Sequence, residues 1–153
     1  MLHGTVLTFT RHLKPGSGWI EQVEIDMKPR CDDGTLPPDS ALVQWHNYLT
    51  NATECANRPI AFQANTREML QTAGFIDIRE QVIRAPLNGW PTDPHQKQIG
   101  RWYNIGLSEG LGALSAAAFT RINRWNMQDH VEPLLKEVEK EMNKSSMHTY
   151  NNM

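Results

Sequence analysis

The chain has little of what announces a chemistry outright. Two cysteines occur in 153 residues, Cys31 and Cys55. They form no CxxC pair, which excludes a zinc ribbon or a thioredoxin-type redox motif, and without a signal sequence both are expected to be reduced. No two histidines stand at HxH or HxxxH spacing, so no metal site is expected. There is no GxSxG nucleophile elbow and no cysteine with an obvious histidine partner. No run approaches the roughly 20 apolar residues of a membrane span. The start, MLHGTVLTFTRHLKPG, has neither a secretory h-region nor transit-peptide character, so a cytoplasmic protein is expected. Fifteen Lys and Arg stand against 17 Asp and Glu, a net charge of −2, which removes the electrostatic reason to expect nucleic acid or an anionic membrane. The triplets Asn51-Ala52-Thr53 and Asn143-Lys144-Ser145 fit the glycosylation pattern, but with no route to the secretory pathway both read as chance.

What is present is an ordinary globular composition, 39% hydrophobic and 21% charged, long enough for one domain with its own core. His12–Asp26 organises it. Pro15-Gly16-Ser17-Gly18 breaks a short apolar run, and Trp19–Asp26 then alternates, placing Trp19, Glu21, Val23 and Ile25 on one face of a predicted strand. Residues 28–38 read as a loop with three prolines. Asp39 or Ser40 caps a helix to about Ala56, with Leu42, Trp45 or His46, Leu49 and Thr53 at helical spacing. A second helix starts at Asn65, with Glu68 as capping-box partner and Gly74 as its stop. Phe75–Ala85 reads as the second strand, Pro86–Pro94 as a loop. Gln96–Trp125 is a long helical stretch, in which Gly106, Gly110 and Gly112 predict a break or a close helix contact. Asn126 caps a last helix to about Asn143, and 145–153 reads as a polar tail.

Several residues on these elements are candidates for a site, each beside a structural alternative. Glu21, next to Trp19, faces a cofactor or substrate, or faces solvent or a sheet edge. Trp45, His46 and Tyr48 line an acceptor pocket suited to a planar molecule or a sulfonium cation, or Trp45 is core. His46 is a possible general base. Trp90 is a lid residue or a plug on the core edge. Trp102 and Tyr103 are core first, pocket second. The glycine pairs Gly16-Ser17-Gly18 and Gly110-Leu111-Gly112 do not follow a strand and open a helix, so neither is a nucleotide loop. Residues alone therefore give an α/β piece without naming a reaction, a catalytic residue or a cofactor ligand.

The wording HLKPG…GWIEQVEID resembles the entry to the fifth strand of class I S-adenosylmethionine (SAM)-dependent methyltransferases, and is especially close to the LaeA-like methyltransferases of filamentous fungi. NTREMLQTAGFIDIRE, APLNGWPTDPHQKQIGRWYNIGLSEGL and MHTYNNM extend the likeness over most of the chain. The resemblance implies an incomplete Rossmann-like class I methyltransferase fold. Residues 1–153 would form a partial domain, the C-terminal half, lacking the cofactor-binding half and stopping short of the last strand. It also implies SAM as cofactor and a small-molecule acceptor in fungal secondary metabolism, with activity impaired in this length of chain. Trp19, Glu21, Trp45, His46, Trp90 and Tyr103 would lie on the acceptor side. The alternative it implies is a non-catalytic, methyltransferase-derived protein that works through a velvet-type partner, in the nucleus.

Overall fold

The computed structural model describes residues 12–60 and 65–153. They fall into two compact units, Met1–Glu24 with Phe62–Val82, and Ile25–Ala61 with Ile83–Met153. Val6–Leu13, which reads as one or two turns of helix or as an extended piece, lies, up to residue 11, outside the described residues.

In the first unit Pro15-Gly16 does form the reversal. The Lys14 carbonyl accepts from the Ser17 and Gly18 amides at 3.3 and 2.8 Å, and Gly16 takes φ +75°, a left-handed value that glycine adopts without a Cβ penalty. The predicted strand Trp19–Asp26 does not form. Up to Ile25 the chain is irregular, with Trp19 78% and Val23 68% exposed. A strand is stable only when its N–H and C=O groups meet a neighbouring ladder, and alternation by itself supplies none. Helix α1 belongs to the second unit and spans Ala41–Cys55. Helix α2, in the first unit, spans Thr66–Thr72 and ends in Gly74 at φ +93°. Its cap Asn65 makes no side-chain hydrogen bond, so the expected capping box is not closed. The predicted strand Phe75–Ala85 is irregular as far as Ile83, and Ile76 is 82% exposed. Arg67 instead ties this segment to α2, donating to the Ile78 carbonyl at 3.1 Å.

The second unit holds a three-stranded sheet, β1 (Asp26–Arg30), β2 (Arg84–Pro86) and β3 (Tyr150–Asn152), in the order β1-β3-β2. Both β1 and β2 run antiparallel to β3, so they are parallel to each other with β3 inserted between them. The middle strand is therefore the segment expected to be a polar tail, and the prolines of the expected 28–38 loop begin inside β1. Pro29 is tolerated there because β1 is an edge strand whose register shifts between Asp26 and Arg30, and a bulged edge does not need every amide. The Asn151 side chain bonds the Lys28 carbonyl at 3.0 Å within that irregular stretch. Ile83 and Met153 exchange both backbone bonds at 2.8 Å, which extends the β2–β3 ladder by a pair.

Ser40 caps α1 as expected, accepting from the Val43 amide. Helix α3 spans Pro94–Ala117 under an Asp93 cap, and passes into a π-helical turn, Ala118–Ile122. Asn126 caps the next turn, Met127–Val131, which leads into α4, Glu132–Met142. Leu42, Trp45 and Leu49 of α1, Leu107 and Leu111 of α3, Phe119, and Val138 and Met142 of α4 form the core. Burying Leu42 and Leu49 stabilises the fold by about 1.5–3 kcal/mol each. The Trp45 indole N–H finds Ser115 Oγ at 2.8 Å, which removes the cost of an unpaired buried donor.

The expected break at Gly106, Gly110 and Gly112 does not occur. A Cβ at any of the three would meet nothing within 4 Å, and burial of Leu107, Leu111 and Ser115 at four-residue spacing holds the helix through them. The close approach is at Gly100, where a Cβ would stand 2.1 Å from the Asn88 carbonyl oxygen. Gly100→Ala should therefore destabilise by about 1–3 kcal/mol through overpacking, while Gly110→Ala should stabilise by up to about 1 kcal/mol. Urea unfolding of the two variants should move the midpoint in opposite directions, and equal midpoints would refute the contact.

Candidate functional site

Two side-chain amides position the return of the chain to the sheet. Asn88, between β2 and α3, directs its two N–H groups at the carbonyls of Met142, Lys144 and Met147, at 3.0, 3.1 and 3.3 Å. The Met142 carbonyl is one that α4 leaves unpaired at its end, and those of Lys144 and Met147 lie in the turn that follows it. Asn104 on α3 donates to the Leu87 carbonyl at 2.8 Å and reaches the Met142 carbonyl at 3.3 Å. The exit from α4 is thereby fixed, and 147–153 is delivered into the sheet with His148 and Tyr150 beside the β1–α1 connection.

A cleft of about 210 Å³ opens at that meeting, lined by Asp32, Asp33, Arg84, Trp90, His148 and Tyr150 among others. Asp33 is its best-held group. One carboxylate oxygen accepts from the Cys31 thiol at 3.0 Å, the Thr35 hydroxyl at 2.8 Å and the Thr35 amide at 3.1 Å. The other is 2.5 Å from His148 Nδ1. The Cys31 thiol first, then His148 and Thr35, hold the Asp33 carboxyl far below the usual carboxylate range, because each bonds the charged form. Asp32 accepts from the Tyr150 hydroxyl at 2.7 Å and from Arg84 at 2.6 Å. Tyr150, more than Arg84, lowers the Asp32 carboxyl, and the same bond raises the Tyr150 phenol. The Arg84 guanidinium lies 4.7 Å from the centre of the Tyr150 ring, within cation–π range. Trp90 stacks on the His148 ring at 4.9 Å, and its indole N–H donates to the Thr149 carbonyl at 3.0 Å.

Of the six candidates read from the sequence, Trp90 lines this cleft, and as a wall rather than a lid. Trp45 is 1% exposed and belongs to the core; its acceptor-pocket reading gives way to packing. His46 is half-buried on α1, 3.4 Å from Thr50 Oγ1, and burial lowers its pKa. Tyr103 donates to Asn151 Oδ1 at 3.1 Å, and burial pushes its phenol up to about 12. Neither lines the cleft. Tyr48 meets Trp125 edge-on at 4.9 Å, and Trp102 is 68% exposed rather than core. Trp19 and Glu21 lie in the other unit, exposed and on irregular backbone. Sequence reasoning missed Asp32, Asp33, Arg84, His148 and Tyr150. The local signal was CDDGT, where an acidic pair sits in turn chemistry after a strand; its distant partners Arg84, His148 and Tyr150 lie 52, 115 and 118 residues away and have no local signature.

A nucleotide-type cofactor is held where a glycine turn after a strand brings free helix amides to it. The two strand-to-helix connections of the second unit do not fit that requirement. In α1 the Val43 amide is bonded by Ser40 and the Leu42 amide by the Glu141 carboxylate at 2.9 Å. In α3 the Gln96 amide is bonded by Asp93 at 2.8 Å, and a Cβ at Gly89 would stand 3.2 Å from Arg101 Nε, so that turn has no open cradle. Among the described residues no group of three or more His, Cys, Asp or Glu is set to hold a metal, and no helix is long and apolar enough to cross a membrane.

The chain is 58% identical over 142 residues to the secondary metabolism regulator LAE1 of Cochliobolus heterostrophus, covering 93% of this chain and 46% of that protein. It is 45% identical to the secondary metabolism regulator laeA of Aspergillus flavus, covering 92% and 37%. It is 43% identical to the protein-methionine methyltransferase laeA of Emericella nidulans, also covering 92% and 37%. Over nine-tenths of its length the chain is thus a LaeA-like sequence, and it spans less than half the length of these curated relatives. No family model and no solved structure matches it.

Asp33 carries a pH prediction. Its folded pKa lies below the unfolded value of 3.8, so its contribution to stability is complete above that pH and is lost as pH falls toward the depressed value. Asp33→Asn should flatten the fall of Tm with acidification below pH 3.8 relative to the unmutated chain, followed by circular dichroism. Parallel acid limbs would show that the carboxylate is not held as described.

Proposed function

We propose that this chain is the acceptor-side portion of a SAM-dependent methyltransferase-like regulator of fungal secondary metabolism, and that at this length it does not hold SAM. The Rossmann-like completion of the sheet belongs to the same reading. The relatives' names support the regulator and methyltransferase parts of it. The observation that carries the rest is the state of the two strand-to-helix connections, whose caps and glycine leave no cradle for a nucleoside. Methyl transfer depends above all on holding donor and acceptor in line. With a cleft for the acceptor and no seat for the donor at either of these connections, the chain should be catalytically impaired alone.

The acceptor follows from the same reading. The small apolar cleft at Trp90 suits a small molecule, and the name of the Emericella nidulans relative adds a methionine thioether to the acceptors worth testing. A second reading, a non-catalytic interaction protein with a velvet-type partner, rests on apolar side chains that stand exposed, Trp19 and Ile76 in the first unit and Trp102 in the second.

Isothermal titration of the 153-residue chain with SAM tests the first reading. No heat of binding is expected at micromolar SAM. Micromolar affinity would overturn the claim that the donor seat is missing, and transfer of a labelled methyl group to any acceptor would overturn the claim of impairment.

A further inference from the structure

The cleft at β3 contains more than a wall for an acceptor. His148 has its Nδ1 committed to Asp33, one ring face against Trp90, and its backbone amide on Thr35 Oγ1 at 2.8 Å. Its orientation is thus set from three sides. The Nδ1–H donated to a carboxylate fixes the tautomer that leaves a lone pair on Nε2. Among the described residues Nε2 has no hydrogen-bond partner, while the ring itself lines the cleft. Asp33 is a strong acceptor for an imidazolium, because its other donors, Cys31 and Thr35, keep it ionised.

We propose that this cleft binds a flat aromatic molecule carrying an acidic hydroxyl, of the phenol class, and that His148 Nε2 takes the hydroxyl proton. The walls argue for the ring. Trp90, Tyr150, Pro86 and Pro91 present planar apolar surfaces, and about 210 Å³ is below the usual range for drug-sized ligands, about 300–1,000 Å³. One or two rings fit. The charges argue for a ligand that arrives neutral. Asp32 and Asp33 face the same space as Arg84 and His148, so an anion entering whole would meet two carboxylates. The base argues for a phenol over an aliphatic alcohol, because a phenol hydroxyl is far more acidic and gives its proton to a nitrogen base more readily. In the step the O–H bond breaks, its electron pair stays on oxygen as phenolate, and a new N–H bond forms at Nε2. The imidazolium is balanced by Asp33, and the Arg84 guanidinium is the remaining cation facing the oxygen. Asp33 is a positioning residue; His148 is the one that touches the ligand. The inference rests on the acceptor-side reading for its biological use, but binding and ionisation are measured without SAM, so the two fail separately.

The probe is para-nitrophenol, whose phenolate has its own absorption band. At a pH just below that phenol's own pKa, adding the 153-residue chain should raise the phenolate band saturably. His148→Gln should bind the phenol without the band. Trp90→Ala should weaken binding about tenfold, the scale of one lost aromatic contact. Asp33→Asn should move the pH midpoint of the band upward, toward that of the free phenol, because the imidazolium loses its counter-charge; a merely structural role for Asp33 would leave that midpoint unmoved. Cys31, Asp32, Arg84 and Tyr150 are the other titratable or charged groups around the ring, and none of these variants changes them. In the unmutated chain, nitrogen NMR should show one histidine moving to imidazolium shifts as the phenol is added, which keeps the test independent of how the variants fold. No saturable binding, binding with no phenolate band, or an unchanged band in His148→Gln would overturn the proposal.

Discussion

The structure of the second unit depends on where the Asn88 side chain sends its two N–H groups. A helix leaves its last carbonyls unpaired, and α4 ends at Met142, whose side chain is fully buried. Asn88 satisfies the Met142, Lys144 and Met147 carbonyls, and its own carbonyl oxygen rests on Gly100, where no side chain would fit. The turn before α3, the body of α3 and the exit of α4 are thereby one assembly. Without it nothing would direct 147–153 between β1 and β2, and the sheet would lack its middle strand.

That assembly decides the site as well as the sheet. His148 and Tyr150 reach the cleft because β3 is led there, and each meets one carboxylate of the Asp32-Asp33 pair. The pairing divides the roles. Asp32 is shared between Tyr150 and Arg84, in a surface network where solvent screens most of the energy. Asp33 gathers a thiol, a hydroxyl, an amide and an imidazole, so its ionised form is specified by geometry rather than by a single countercharge. Two adjacent aspartates in one loop thus do different things, because the elements that return to them differ.

The helices were legible in the sequence. Ser40, Asn126 and Gly74 mark ends that the structure keeps, and the spacing of Leu42, Trp45 and Leu49 points the right face of α1 inward. The strands were not. Trp19–Asp26 and Phe75–Ala85 carry the alternation but little of the ladder, while Asp26–Arg30 and Tyr150–Asn152 carry the ladder with a proline or polar residues. The same failure explains the site: Trp90 was visible as an aromatic in a loop, whereas Asp33 and His148 become a pair only across 115 residues.

The sequence by itself determined the helices, the Pro-Gly reversal and the likeness to LaeA proteins, because capping, helical periodicity and wording are properties of neighbouring residues. Tertiary structure alone decided which segments became strands, which glycine was obligatory, and which side chains form the cleft. A strand needs a partner, a close approach needs a second backbone, and a carboxylate–imidazole pair needs two distant loops brought to hydrogen-bond distance. None of these is a property of a stretch of chain read alone.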